Sequence, residues 1–395
     1  MKMVKKILLY LSLFICLFFA GLFLWHPYLL RVLWYRSPDA VTYMAFPTEV
    51  VRQSDSAFHF FRPQKMRNDL DTLHILNGDR QSVMFKDYFT QGRLNAFIVI
   101  RNDSILYEKY SAGYTDSTLT TVFSGAKSMI SLMIGQALEQ GKINSLDDQV
   151  TRYIPELKSN SAFKAITIRN LLNMKSGLAF QDALGGIVSA FFSDEAKYYY
   201  THDMKAALMK TALVHKPGTF WQYKSLDPIL LGWVLENATG KSVSQFFEQY
   251  TWQKIGAEYP ASFGLDHPNG LANTASRFQV TAIDWAKIGR LFLNNGKYDH
   301  IQVLSQNWVN QSTSIGSAEP VSAKGWQKSA QHFLWWIPQE GMKGDFAAEG
   351  MRGQRLYIDR LTNTIIVQFA DRGAGDYPYR KISRYLAGLP FRYPN

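Results

Sequence analysis

The sequence predicts an α+β fold: one antiparallel sheet built from N- and C-terminal strands, flanked by helices, with a mainly helical inserted lobe. Three observations lead there. Ala96-Phe97-Ile98-Val99-Ile100 and Ile105-Leu106-Tyr107-Glu108-Lys109-Tyr110 are β-rich runs on either side of Asn102-Asp103, the pattern of a hairpin. Arg355 to Asp359 and Thr364 to Phe369 repeat that pattern around Leu361-Thr362-Asn363. Most of the sequence between the two hairpins has helical rather than alternating apolar spacing.

The chain has 395 residues, enough for a large core and for two or three domains. Its 47% hydrophobic and 19% charged content is that of an ordered protein, with an exception at the N-terminus. There Lys2, Lys5 and Lys6 precede Ile7 to Trp25, an apolar stretch of 19 residues that includes the milder Tyr10 and Ser12. That length spans a bilayer. A cleaved signal would need a small-x-small site, and the flank Trp25-His26-Pro27-Tyr28 has none. Residues 1–26 are therefore expected to be an uncleaved membrane anchor. The basic N-terminal side predicts a single pass with a cytoplasmic N-terminus and an exported body, as in a bacterial inner membrane facing the periplasm. Arg31 and Arg36 reduce that asymmetry. The single cysteine, Cys16, lies inside the span, and Ile15 before it is too large for a lipoprotein site, so the body has no disulfide. A net charge of +11 can suit an anionic membrane surface or an acidic substrate, but the basic residues read as spread over the chain. No basic run interleaved with aromatics suggests a nucleic-acid partner.

Residues 27–86, with Phe58, Phe60 and Phe61, read as a tether wrapping onto the body, and 87–395 as one domain whose helical lobe covers about 142–340. After the first hairpin a threonine-rich stretch leads to Phe123-Ser124-Gly125-Ala126-Lys127, then to an apolar helix, Ser128 to Leu138, closing at Gly141. Thr167 caps a helix expected to stop at Gly177. Ala206 to Leu213, Leu230 to Leu235, Ala282 to Leu293, Asn307 to Ser312 and a closing helix at Arg380 to Leu386 follow.

Three short features can carry chemistry. Ser124 and Lys127 are one helical turn apart on one face, so a desolvated lysine amine can take the serine's proton. Alone, this pattern is common on surface helices. In His215-Lys216-Pro217-Gly218-Thr219-Phe220-Trp221-Gln222-Tyr223-Lys224-Ser225 the Pro-Gly turn can present Tyr223 with Ser225, although an isolated tyrosine is more often core. A tyrosine near the pair can relay a proton if cationic neighbours favour its anionic form. Ala348-Glu349-Gly350-Met351-Arg352-Gly353-Gln354 sets glycines at a strand edge, where a backbone N–H can meet an oxyanion or where a β-bulge can form. The eight histidines have no zinc-ligand spacing, and His215 is simply a loop residue. Gly240-Lys241-Ser242 ends like a phosphate loop, but Leu235 stands where its first glycine is required.

Taken in this order, the three features resemble the serine β-lactamase and penicillin-binding-protein superfamily, closest to the class C β-lactamase-related esterases and 6-aminohexanoate-oligomer hydrolases. The resemblance covers roughly Asn95 to Leu386, including Leu146 to Pro155 and Thr281 to Gly296. It implies a β-lactamase-like fold and a serine hydrolase that needs no cofactor or metal. It further implies that Ser124 is the acylated nucleophile, Lys127 its base and Tyr223 the proton relay, with the N–H groups of Ser124 and Met351 as the oxyanion hole. Ser225, Glu349, Gly350 and Arg352 are the substrate-binding candidates. Two departures bear on the substrate. Tyr223-Lys224-Ser225 replaces the Tyr-x-Asn of many relatives, and Ala348 stands where relatives often carry a Lys or His for a substrate carboxylate. Arg352 is the candidate replacement. The expected substrate is a small, neutral or cationic ester or amide. A cell-wall D,D-peptidase or β-lactamase, and an inactive ligand sensor of the same fold, are the alternatives.

Overall fold

The structure is a computed structural model that describes residues 2–77, 81–91, 93–182, 191–314, 319–321, 329–338, 344–371 and 378–390. Two helices, α1 (Lys2–Trp25) and α2 (Tyr28–Tyr35), precede strand β1 (Thr48–Val51). The first hairpin consists of β2 (Leu94–Arg101) and β3 (Ser104–Tyr110). Its turn residues Asn102 and Asp103 both have left-handed backbone, φ 52° and 57°, the geometry that matches the strand twist. Strand β4 (Thr120–Thr121) leads into the central helix α3 (Ala126–Glu139). The helical stretch contributes α4 (Ile168–Leu172), α5 (Asp194–Tyr200), α6 (Met204–Met209) and α7 (Leu226–Thr239). Strands β5 (Ala261–Gly264) and β6 (Phe278–Val280) come next, then α8 (Ala282–Leu293) and α9 (Gln306–Ser312). The chain closes with β7 (Glu319–Val321), β8 (Ser329–His332), β9 (Trp335–Pro338), β10 (Asp345–Gly350), β11 (Gln354–Asp359), β12 (Thr364–Ala370) and α10 (Pro378–Leu386).

The main sheet has the order β7-β8-β9-β10-β11-β12-β2-β3 and is antiparallel throughout. Pairing of β12 with β2, in the register Ile366↔Val99, joins the two ends of the chain as expected. Helix α8 packs on β12, β11 and β2, while Tyr379 and Ile382 of α10 bury Phe97, Val99, Tyr357 and Ile366 on the opposite face. Between sheet and lobe lies α3, buried from Ala126 to Ala137 and packed on α7. A helix apolar on nearly every side has no face to give to water.

The N-terminal extension belongs to the body. Strand β1 pairs with β5 in a second sheet of order β1-β5-β6-β4, and Phe58 packs edge-on against Tyr298 at 5.6 Å. Helix α2 lies against α5, where Tyr28, Leu29, Val32 and Phe46 are buried with Tyr199 and Tyr200. Helix α1, which lies within the predicted anchor at residues 1–26, is long and apolar enough over Met3–Leu24 to cross a membrane.

Several boundaries differ from expectation; α7, expected at Leu230 to Leu235, runs from Leu226 to Thr239. The helix capped by Thr167 stops at Leu172, because Met174 takes left-handed backbone (φ 53°). Gly177 instead lets two segments touch: a Cβ there would lie 2.1 Å from the His215 carbonyl oxygen. The helix expected at Ala206 to Leu213 is α6 and ends at Met209, since the following residues pair with that segment, Ala179 N–H donating to Ala212 O at 2.8 Å. The region expected to be helical over about 142–340 also contains α8, β8 and β9, which belong with the main sheet.

Replacing Gly135 tests the packing of α3. An added Cβ would sit 2.5 Å from the Trp308 ring, which is itself buried against Phe333 at 5.2 Å. Overpacking of this kind costs about 1–3 kcal/mol, against about 1 kcal/mol gained from helix propensity. Gly135→Ala should lower the urea midpoint of the detergent-solubilised chain followed by tryptophan fluorescence, and an unchanged midpoint would refute the packing.

Candidate active site

The site forms where the start of α3 meets the end of β10. Ser124 lies in the short turn Phe123–Gly125 before α3, with Phe123 held at φ 45°. The last residue of β10, Gly350, runs against this turn so closely that a Cβ would lie 2.0 Å from the Val122 carbonyl oxygen. Only glycine permits that approach, and it brings the Met351 backbone beside the serine turn.

Lys127 is 2% exposed. Its Nζ donates to Ser124 Oγ at 2.9 Å, Ser225 Oγ at 3.1 Å and the Ala275 carbonyl oxygen at 2.9 Å. Those contacts use all three ammonium hydrogens. Burial lowers its pKa to about 8, with the carboxylates of Glu195 and Asp182 acting in the opposite direction. The Ser225 hydroxyl in turn donates to Glu195 Oε1 at 2.7 Å. Its oxygen is thereby turned to accept from Lys127.

Tyr223 and Ser225 do arrive together. The Gly218 N–H bonds to Lys175 O at 2.8 Å, and alternation along the segment sends Lys224 the other way, its Nζ donating to Leu178 O at 3.0 Å. The Tyr223 ring lies 5.0 Å from Lys127 Nζ and stacks on Trp336 at 5.7 Å. Burial pushes the phenol well above its ordinary pKa, and hydrogen bonding with Ser124 offsets only part of this. The anionic form considered from sequence is therefore disfavoured, and Tyr223 is an O–H donor at neutral pH.

The remaining candidates are engaged elsewhere. Glu349 is buried and faces its cross-strand neighbour Arg355, Nε to Oε1 at 3.8 Å. Arg352, with left-handed backbone at φ 65°, gives its guanidinium hydrogens to the carbonyls of Pro38 at 2.8 Å, Asp371 at 3.1 Å and Ser37 at 3.5 Å. It braces the N-terminal extension, so the suggested replacement for a carboxylate partner has other ligands. His215 lies against Phe220, ring centres 4.2 Å apart and tilted, on an exposed loop. Among the described residues, no group of three or more His, Cys, Asp or Glu could hold a metal ion.

Sequence reasoning missed Glu195 and the Ala275 carbonyl. They stand 30 positions from Ser225 and 148 from Lys127. A backbone oxygen has no sequence signature, and Glu195 sits in an ordinary acidic first turn of α5.

The family model described as Beta-lactamase matches residues 87–387. Among curated proteins, the chain is 27% identical to 6-aminohexanoate-dimer hydrolase of Paenarthrobacter ureafaciens over 70% of this chain and 72% of that one. A candidate 6-aminohexanoate-dimer hydrolase from Bacillus anthracis superimposes with TM-score 0.77 at 24% identity, over 88% of this chain and 92% of the other. A family VIII carboxylesterase does so with TM-score 0.59 at 17% identity, over 76% and 95%. The matched region holds the serine turn, the buried lysine and the glycine-edged strand, and the chain belongs to the Beta-lactamase family as a serine hydrolase of the β-lactamase and penicillin-binding-protein superfamily.

Proposed function

We propose that the protein cleaves a neutral or cationic ester or amide through an acyl-enzyme on Ser124, with its catalytic body held at a membrane by α1. The observation that carries this reading is the three-acceptor setting of the Lys127 amine. A neutral amine has two hydrogens and one lone pair. When the hydrogens go to Ser225 Oγ and Ala275 O, the lone pair points at the Ser124 hydroxyl. Ser225 can accept because its own hydrogen goes to Glu195, which makes Glu195 a positioning residue.

The reaction then runs in two balanced halves. Ser124 Oγ bonds to the substrate carbonyl carbon while its proton passes to Lys127, and the oxyanion meets the N–H groups of Ser124 and Met351. Collapse breaks the bond to the leaving group, which takes a proton from the Tyr223 hydroxyl, and the Lys127 ammonium, 5.0 Å from the Tyr223 ring, gives its extra proton to the phenolate. Water attacks the acyl carbon in the second half. Its proton follows the same relay, and Ser124 leaves with its hydrogen restored. The relative named as 6-aminohexanoate-dimer hydrolase supports a hydrolase reading, and the family VIII carboxylesterase shares the fold. Ala348, together with the carboxylates of Glu195 and Asp182 acting on Lys127, disfavours an anionic substrate.

Intact mass of the detergent-solubilised chain after a fluorophosphonate, and separately after benzylpenicillin, tests the reading. A fluorophosphonate adduct that vanishes in Ser124→Ala is expected, with no stable penicillin adduct. A lasting penicillin adduct would move the function to cell-wall peptide chemistry, and no adduct with either probe would overturn the acyl-enzyme.

The pH dependence carries a sign. Lys127 is a base only when deprotonated, so acylation should rise with pH through about 8. Glu195→Gln keeps an acceptor for Ser225 and removes the charge that raises the lysine pKa, so the acid limb should move to lower pH. Glu195→Ala should slow acylation by about 10- to 100-fold, part of the 100- to 10,000-fold that general base catalysis supplies. A limb that stays in place in Glu195→Gln would remove Glu195 from the mechanism.

A further inference from the structure

The segment Tyr28 to Phe46 packs against two elements that carry candidate-site residues. On one side it packs on α5, the helix that carries Glu195. Tyr35 stacks on Tyr200 at 6.4 Å, the Tyr200 hydroxyl donates to Arg36 O at 2.6 Å, and the Arg277 guanidinium lies 3.7 Å from the Phe46 ring centre. On the other side, Ser37 and Pro38 receive the Arg352 guanidinium, next to Met351. A single stretch thus touches the elements that hold Glu195 and the Met351 N–H.

The outer face of this stretch is apolar and uncovered. Leu30, Leu33 and Trp34 are 53%, 50% and 81% exposed and recur at i, i+3 and i+4, one face of α2. Val41 and Met44, 50% and 71% exposed, continue it, and Met351 beside the site is 44% exposed. Such a run of large apolar groups is uncommon where only water is met.

Its place in the chain selects the occupant. Only His26 and Pro27 separate α2 from α1, and hydrogen bonds from His26 N to Leu22 O at 2.8 Å and from Leu29 N to His26 O at 3.0 Å leave no slack. Helix α2 has eight residues, so it extends about 12 Å. An amphipathic helix starting where a span ends lies in the headgroup layer, where tryptophan is favoured and apolar side chains reach about 5–10 Å inward. Exposed Arg36 beside this face, on a chain of net charge +11, suits anionic headgroups.

We infer that Leu30, Leu33, Trp34, Val41 and Met44 lie in the headgroup layer of an anionic bilayer and hold this segment, which flanks the elements bearing Glu195 and Met351, at the membrane surface. The inference rests on α1 being a membrane anchor and is independent of the chemistry at Ser124. The test uses the full chain with Cys16→Ser, carrying either Leu33→Cys or Leu361→Cys labelled with bimane. Leu361 is exposed beyond the end of β11 remote from Met351. The chain is reconstituted in nanodiscs of phosphatidylcholine and phosphatidylglycerol containing nitroxide-headgroup lipid. Quenching several-fold stronger at position 33 than at 361 is expected, and Met44→Cys should repeat it if Leu33→Cys fails to fold. Equal quenching in chains retained by the disc would overturn the inference alone. Crosslinking through position 33 without lipid quenching would assign the face to a second copy and overturn it. A chain that leaves the disc would overturn the anchor and this inference together, while a Ser124-dependent fluorophosphonate adduct in the same sample keeps the hydrolase reading separate.

Discussion

A lysine amine withheld from water is the constraint on which the rest of the structure depends. An ammonium group at this depth must have every hydrogen received by an oxygen, and the fold supplies three: a serine in the turn before its own helix, a serine from a distant loop and a backbone carbonyl. The same burial lowers the pKa of the amine to about 8, within reach of a neutral state. Structural satisfaction and chemical competence come from one arrangement. Glu195 ties the two together, because fixing the Ser225 hydroxyl fixes which way the amine can point.

Meeting that constraint requires elements far apart in sequence. Helix α3 and the turn before it carry Lys127 and Ser124 into the core, and the helix can be buried from Ala126 to Ala137 because the sheet covers one side and α7 the other. The sheet is continuous there because β12 pairs with β2, the two ends closing around the lobe. Strand β10 then reaches the serine turn only by ending in Gly350. Tyr223 is positioned by a different device, strand-like alternation that directs Lys224 and its neighbours to opposite sides, together with the Trp336 ring beneath it. Trp335 and Trp336 show the same alternation: the first is in the core against Phe292 at 4.5 Å, and the second faces the site.

The N-terminal extension changes how the body should be pictured. It supplies a sheet edge through β1, an aromatic contact through Phe58 and a brace for the Arg352 turn through Ser37 and Pro38. Arg352 has the charge that a substrate carboxylate would require, yet its hydrogens are given to main-chain carbonyls. A positive side chain near a reactive serine is thus no guide to substrate charge until its partners are known.

Local spacing by itself determined a good deal of this protein. Both hairpins, the buried helix after Ser124 and α8 follow from periodicity and turn residues, and Ser124 and Lys127 share a face because helical geometry leaves little choice at a separation of three. Helix ends were less legible. Gly177 resembles a stop signal, but its missing side chain serves a contact with His215, a partner 38 positions on that no local pattern announces. What only the tertiary structure decided was the environment of the lysine: the Ala275 carbonyl, the Glu195 carboxylate and the neutral Tyr223 phenol. A pKa depends on desolvation and on charges brought close through folding, and a hydrogen bond depends on direction, and neither quantity is a property of residues taken in order.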